Sequence, residues 1–238
     1  MGIDATRRCS ATWSAKRERV SISKRLCAGS YGFPLVRDEL TGILLVGGAS
    51  SRFGSPKALA TYEGEPLAVR GWRTLGAACQ HRIAVGKSSD GHELPFPVLD
   101  DGSDRRASIV GLAAGLRAAT TELCVVLPVD TPLVTPALLL ELADVCRDAA
   151  IPQTGPLPGA YRKSILPALV SGELSIRKAI ERLDVNVLEV DAALLANVNT
   201  PADLEALEAG SPGVGSTTRA PGSNPLREAR GRRPEPGR

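Results

Sequence analysis

Aromatic residues are scarce in this sequence: two Trp, three Tyr and three Phe make up 3% of its 238 residues. A hydrophobic core must therefore be built from Leu, Val, Ile and Ala, which dominate the 43% hydrophobic content. Only two histidines occur, His81 and His92, which argues against a His-based triad or a His-rich metal centre. No apolar stretch approaches the ~20 residues that a membrane span requires. The early basic pair Arg7-Arg8 is followed by no apolar run, so no export signal is expected. The five cysteines (Cys9, Cys27, Cys79, Cys124, Cys146) are widely spaced and form no C-x-x-C pair. That pattern predicts free thiols in a reducing cytoplasm and no structural zinc site.

The formal net charge of +3 is unevenly spread. Residues 1–40 hold eight Lys/Arg against four Asp/Glu, and residues 209–238 hold six Arg against two Glu. The intervening stretch is therefore acidic, and a basic nucleic-acid-binding domain is not expected. The last segment is rich in Gly, Pro, Ser and Arg and nearly devoid of large apolar residues. It cannot offset its ordering entropy by burial and is expected to be disordered. Residues 1–40 carry Trp13, Leu26, Tyr31 and Phe33 without periodicity. They read as a flexible basic extension, or as an arm that touches a partner. The predicted organisation is a single domain over 41–208 between two basic tails.

Within that domain, strand-like and helix-like segments alternate. "TGILLVG" (41–47) is a continuous apolar run of strand length, as expected of a strand buried on both faces. Residues 65–79 predict a helix with Pro66 at its start; 82–86 and 95–100 predict short strands; 108–119 predict a small-residue helix. A buried strand is expected at 122–130, then an amphipathic helix at 135–149 with Thr135 as N-cap and Pro136 at its first position. Further segments follow, with a strand at 185–190 and a last helix from Thr200 or Pro201 to about Leu207. The alternation predicts an α/β fold: a doubly wound, mainly parallel sheet with helices on both faces. Ligands of such sheets bind beyond the carboxyl ends of the strands.

One stretch stands at such an end. "ILLVGGASSRFGSPK" (43–57) runs from four apolar residues into two glycines, then Arg52, Gly54 and Lys57. A loop that only turns a corner has no need of ten residues and two cations. It fails the Walker pattern, because Lys57 follows Pro56 and precedes Ala58, and it fails G-x-G-x-x-G. The physics of an anion site remains. Adjacent glycines allow close approach of backbone N–H groups, and Arg52 and Lys57 supply charge for phosphate oxygens.

The stretch resembles the G-G-x-S-x-R-x-G-x-x-K signature of the nucleotidyltransferases related to molybdenum cofactor guanylyltransferase. The resemblance continues in "GLAAGL" (111–116), "LPVDTPLV" (127–134), "PLPGAYRKSILPAL" (156–169) and "NVNTPADL" (197–204), and covers roughly 41–208. It implies a Rossmann-like fold of the nucleotide-diphospho-sugar transferase type. It also implies transfer of GMP from GTP to the terminal phosphate of molybdenum-bearing molybdopterin, with Mg²⁺ and release of pyrophosphate. By the same resemblance, Leu45, Val46, Gly47 and Gly48 contact the nucleotide, Lys57 binds phosphate with Arg52 as its companion, and Asp101 contacts the nucleotide. Asp130 is the Mg²⁺ ligand, and Asn197 and Asn199 lie on the acceptor side. Two positions depart from the family: Leu112 stands where a proline is usual, and Gly86 where a strand-end asparagine often contacts the nucleotide.

Plainer roles stand beside these. Asp130 would cap the following helix, except that Thr135-Pro136 already supplies its start. Asp101 sits with Asp100, Asp104 and Arg105 in what also reads as a solvated charge run, and Asn199 before Thr200-Pro201 also reads as turn chemistry. Transfer of CMP from CTP is the rival reaction; Val46-Gly47-Gly48 in place of the A-A-G of relatives that use CTP, with its extra glycine, favours a purine, by resemblance. A non-catalytic nucleotide-binding module that delivers cofactor to apo-molybdoenzymes is the rival of another kind. No nucleic acid or membrane partner is expected.

Overall fold

The computed structural model describes residues 19–20, 36–47, 56–91 and 93–210. Its strands are β1 (Arg19–Val20), β2 (Arg37–Leu45), β3 (Thr61–Tyr62), β4 (Glu65–Pro66), β5 (Cys79–Gly86), β6 (Val98–Asp100), β7 (Leu123–Pro128), β8 (Ala149–Pro152), β9 (Gly159–Arg162) and β10 (Val185–Leu188). The helices are α1 (Leu67–Gly76), α2 (Ser108–Ala118), α3 (Pro136–Asp144), α4 (Leu166–Leu169), α5 (Ile176–Ala179) and α6 (Pro201–Gly210). Eight strands form one sheet in the order β1-β10-β8-β9-β7-β2-β5-β6, and β3 and β4 make a separate hairpin. All neighbours in the large sheet are parallel except β9, which runs antiparallel to both β7 and β8.

The continuous apolar run of β2 makes it the centre of the sheet, with β7 on one side and β5 on the other. Its side chains alternate between faces. Leu40, Leu44 and Val46 pack with α1 and α3, whereas Ile43 and Leu45 pack with α2, α4 and α5. Two glycines let helices lie close against this strand. A Cβ at Gly71 would stand 2.7 Å from Leu44 Cδ1, and one at Gly115 2.6 Å from Ile43 Cγ2. Both faces are therefore covered by aliphatic side chains at short range, as the shortage of aromatics requires.

After β2 the chain moves outward to β5 and β6, then returns past β2 to β7. The direction of winding reverses at the carboxyl end of β2, where open sheets of this kind place their ligands. The backbone ties this end together: Val46 N donates to Val85 O (2.9 Å), Val129 N to Leu45 O (3.2 Å) and Val198 N to Asp130 O (2.8 Å).

Several boundaries differ from expectation. β2 begins at Arg37, four residues before the apolar run, because an edge-to-edge ladder continues into polar residues. Pro66 lies in β4 and α1 starts at Leu67. α3 stops at Asp144, and the rest of the predicted helix becomes the lead-in to β8. The run at 95–100 keeps only β6 as strand. Thr135 is the N-cap of α3 as expected, accepting from Leu138 N at 3.3 Å.

Candidate active site

Lys57 opens a single 3-10 turn, Lys57–Leu59, pinned by the fully buried Ala58 and by Leu59 N and Ala60 N donating to Pro56 O and Lys57 O. That anchorage aims its ammonium at the residues beyond β7. Lys57 Nζ lies 3.6 Å from Asp130 Oδ2 and donates to Asn199 Oδ1 at 3.2 Å. The Asp130 side chain is 30% exposed, and burial pushes its carboxyl above the usual carboxylate range while Lys57 pulls it back down. A half-buried carboxylate of this kind needs a cation beside it.

Asn199 is positioned by the start of α6. Thr200 N and Asn199 N both donate to Asp203 Oδ2 (2.8 Å each), and Asp203 N donates back to Thr200 Oγ1 (3.2 Å). This reciprocal cap accounts for the turn chemistry of the segment without using the Asn199 side chain, which is left to meet Lys57. The backbone bonds from Asn199 and Thr200 hold the Asp203 carboxyl below its usual range. Val198 is buried between Asn197 and Asn199. Asn197 is exposed and takes no part in the contacts joining Lys57, Asp130 and Asn199.

A pocket of about 120 Å³ opens at the same carboxyl edge of the sheet, between the ends of β2 and β5 and the start of α2. Leu45, Gly47, Val85, Gly86, Lys87, Asp101, Arg106, Ala107, Ser108 and Gly111 line it. Gly47 approaches Gly86 so closely that a Cβ on Gly47 would lie 3.4 Å from Gly86 Cα. Val46 points the other way, into the core under α1, so only its backbone faces the pocket side.

The neighbouring aspartates divide their work. Asp100 is a turn residue: its carboxylate accepts from Ser88 N (2.6 Å) and Gly102 N (2.7 Å), and the Ser88 bonds chiefly lower its pKa to about 2. Asp101 turns inward, where its carboxylate is 8% exposed and both oxygens lie 2.9 Å from Lys87 Nζ. The charge-run reading of Asp101 is thereby corrected, because consecutive residues leaving a strand point to opposite sides. Gly48 and Arg52 lie outside the described residues.

Sequence reasoning passed over Lys87, Arg106 and Ser108. Lys87 had a usable signal, since it directly follows the carboxyl end of a parallel strand. Arg106 had none; it reaches the pocket rim from a loop, held by Asp90 at 2.7 Å. Among the described residues no group of three or more His, Cys, Asp or Glu converges to hold a metal. The oxygen donors at hand are Asp130 and the Asn199 carboxamide. Such a sparse set fits Mg²⁺, which takes one or two carboxylates and completes its shell with water and substrate phosphate.

Comparison with known proteins agrees with this geometry. The MobA-like NTP transferase domain matches residues 42–187. A probable molybdenum cofactor guanylyltransferase of Deinococcus radiodurans is 35% identical over 182 residues, 71% of this chain and 93% of that protein. The molybdenum cofactor guanylyltransferase of Pseudomonas putida is 31% identical over 68% of this chain and 94% of its own length. Among solved structures, the molybdopterin-guanine dinucleotide biosynthesis protein A of Archaeoglobus fulgidus superposes with a TM-score of 0.61 at 25% identity, covering 71% of this chain and 97% of that one. On the strength of the matched domain and of relatives aligned over nearly their whole length, the chain belongs to the MobA-like NTP transferase family and is a nucleotidyltransferase.

Proposed function

We propose that the chain transfers GMP from GTP to the terminal phosphate of molybdenum-bearing molybdopterin, forming the guanine dinucleotide cofactor. A phosphate oxygen of the pterin attacks the α-phosphorus of GTP, the bond to the β-phosphate oxygen breaks, and pyrophosphate leaves. The observation that carries this reading is the convergence of Lys57, Asp130 and Asn199 at the same carboxyl edge of the sheet as a pocket walled by Asp101. Such a transfer asks chiefly for positioning and charge neutralisation, with no covalent enzyme intermediate.

In this reading the nucleoside enters the pocket beyond β2 and β5, with its triphosphate toward Lys57, and Arg52 would add a second positive charge for it. Gly47 and Gly48 allow backbone N–H groups to come within reach of phosphate. Lys57 stabilises charge that builds on the phosphates, and Asn199 steadies its ammonium. Asp130, with the Asn199 carboxamide oxygen near it, would hold Mg²⁺, which supplies Lewis-acid polarisation of the phosphoryl oxygens. Asn197 and Asn199 face the acceptor side. The names of the relatives and the Gly47-Gly48 pair support GTP over CTP. The three buried thiols Cys79, Cys124 and Cys146 are free, and burial pushes each pKa up to about 12. Inert reduced thiols suit the cytoplasm, where apo-molybdoenzymes would receive the product.

The test is incubation of purified protein with Mg²⁺, molybdenum-loaded pterin and GTP, CTP or ATP in turn, with the product identified by mass. GTP is expected to be used at least about tenfold better than CTP, ~1.4 kcal/mol in transition-state binding. Equal or better turnover with CTP would transfer the assignment to cytidylyl transfer. Binding without any turnover would favour the delivery module.

A further inference from the structure

We infer that Lys87 is a positioning residue for nucleotide selection, fixing the Asp101 carboxylate so that it presents one acceptor position to the pocket. The inference rests on the nucleotidyl-transfer reading above and extends it to a residue with no role there.

The hydrogen-bond count is closed on the lysine. Lys87 Nζ has three protons, and it donates to Asp101 Oδ1, to Asp101 Oδ2 and to Ser103 O. Nothing is left to bind a ligand directly, so Lys87 acts through Asp101. The count on the carboxylate is not closed. Oδ1 accepts from Lys87 and from Ser103 N (3.0 Å), whereas among the described residues Oδ2 accepts from Lys87 alone. Each carboxylate oxygen has two lone pairs, so Oδ2 keeps one acceptor position.

Stability does not account for such a pair. The side chains are 10% and 8% exposed, and withdrawing both charges from water costs about what their attraction returns. Residue 86, at the strand end beside the pair, brings no side chain to the pocket. A Cβ at Gly86 would lie 2.7 Å from Val46 Cγ2 and 3.1 Å from Val98 Cγ1, so residue 86 adds nothing to the pocket. Among the described lining residues Asp101 is the single carboxylate, held by a neighbouring cation. An acceptor so fixed selects an N–H or O–H donor on the nucleoside, supplied by the amino group of the base or by a ribose hydroxyl.

The experiment measures equilibrium affinities of GTP, inosine triphosphate (which lacks the base amino group) and 2′-deoxy-GTP for four full-length proteins. These are the wild type, Lys87→Met, Asp101→Asn and the double variant. The wild type is expected to disfavour one of the analogues by about tenfold or more, the scale of one charge-assisted hydrogen bond. Lys87→Met and Asp101→Asn should each erase that same preference, and the double variant should lose no more than either. Should Lys87→Met not fold, Lys87→Gln, uncharged but still polar, takes its place and should erase the same preference. Wild-type ratios retained in the lysine variant, losses that multiply in the double variant, or no analogue preference in the wild type would each overturn the inference. If the wild type binds CTP and not GTP, the guanylyl reading fails by itself. The same panel run with CTP and its 2′-deoxy form then judges Lys87 separately.

Discussion

Asp130 shows how one residue joins stability to chemistry. It sits where β7 ends, half-buried, with Lys57 3.6 Å away and its pKa raised by burial. A raised carboxyl pKa means that the folded protein holds this proton more tightly than the unfolded chain. The associated stability is full below the ordinary value of 3.8 and is lost as pH rises through the folded value. Asp130→Asn is therefore expected to leave the melting temperature at pH 7 unchanged or slightly higher. Its turnover should fall by about 100-fold or more if, as proposed, this carboxylate holds the metal. Circular dichroism melts and steady-state rates on one preparation check both halves. A variant with near-normal Mg²⁺-dependent activity would remove Asp130 from the metal site. The motifs placed Lys57 and Asp130 at one edge of the sheet, because parallel strands bring their carboxyl ends together; their contact appears only in the fold. The inward turn of Asp101 was not legible, because which of two adjacent aspartates faces the core depends on the pairing of β6 with β5.

At the scale of elements, two helix starts carry separate predictions. The Thr135 hydroxyl caps α3, and Thr135→Ala should cost ~1 kcal/mol without changing kcat, whereas Thr135→Ser should be nearly neutral. Urea unfolding midpoints read the first and initial rates the second. The start of α6 behaves differently with pH. Asp203 accepts from two backbone N–H groups and its pKa is lowered, so its stability contribution is present above 3.8 and lost as pH falls through the lower folded value. The difference in melting temperature between wild type and Asp203→Asn should accordingly be largest near neutrality and shrink toward pH 3. A gap independent of pH would mean that the cap draws nothing from the charge. β2, β5, β7 and β10 were visible as apolar runs. β3 and β4 were not, because strands of two residues carry too few alternations to read, and β9 was not, because Gly159–Arg162 is no continuous apolar run.

Across the whole molecule, the candidate site residues lie within 45–199, and the carboxyl-terminal basic segment follows α6 in sequence. Residues 211–238, with residues 1–18, fall outside the described residues. At the amino-terminal side, β1 pairs with β10 and so belongs to the sheet, which divides the predicted extension into parts of different standing. Deleting 211–238 should leave folding and kcat nearly unchanged. The loss of positive charge would weaken attraction of the anionic substrates, lowering kcat/KM modestly at low salt and less so as salt screens the difference. Rates at two ionic strengths test this. Loss of kcat in a folded, truncated protein would make that segment part of the catalytic unit. No helix among the described residues is long and apolar enough to cross a membrane.

Local order along the chain carried the fold class, the buried strand β2, the cap of α3 and the place of Lys57 and Asp130 beyond the strands' carboxyl ends. Each depends on periodicity, on propensity or on a motif contained within a few residues, and such signals survive in one dimension. The contact of Lys57 with Asn199 across 142 positions, the antiparallel entry of β9 and the Lys87–Asp101 pair emerged only in three dimensions. These depend on which strands become neighbours and in what register. Register is set by burying both faces of the sheet at once, so no single segment holds the information.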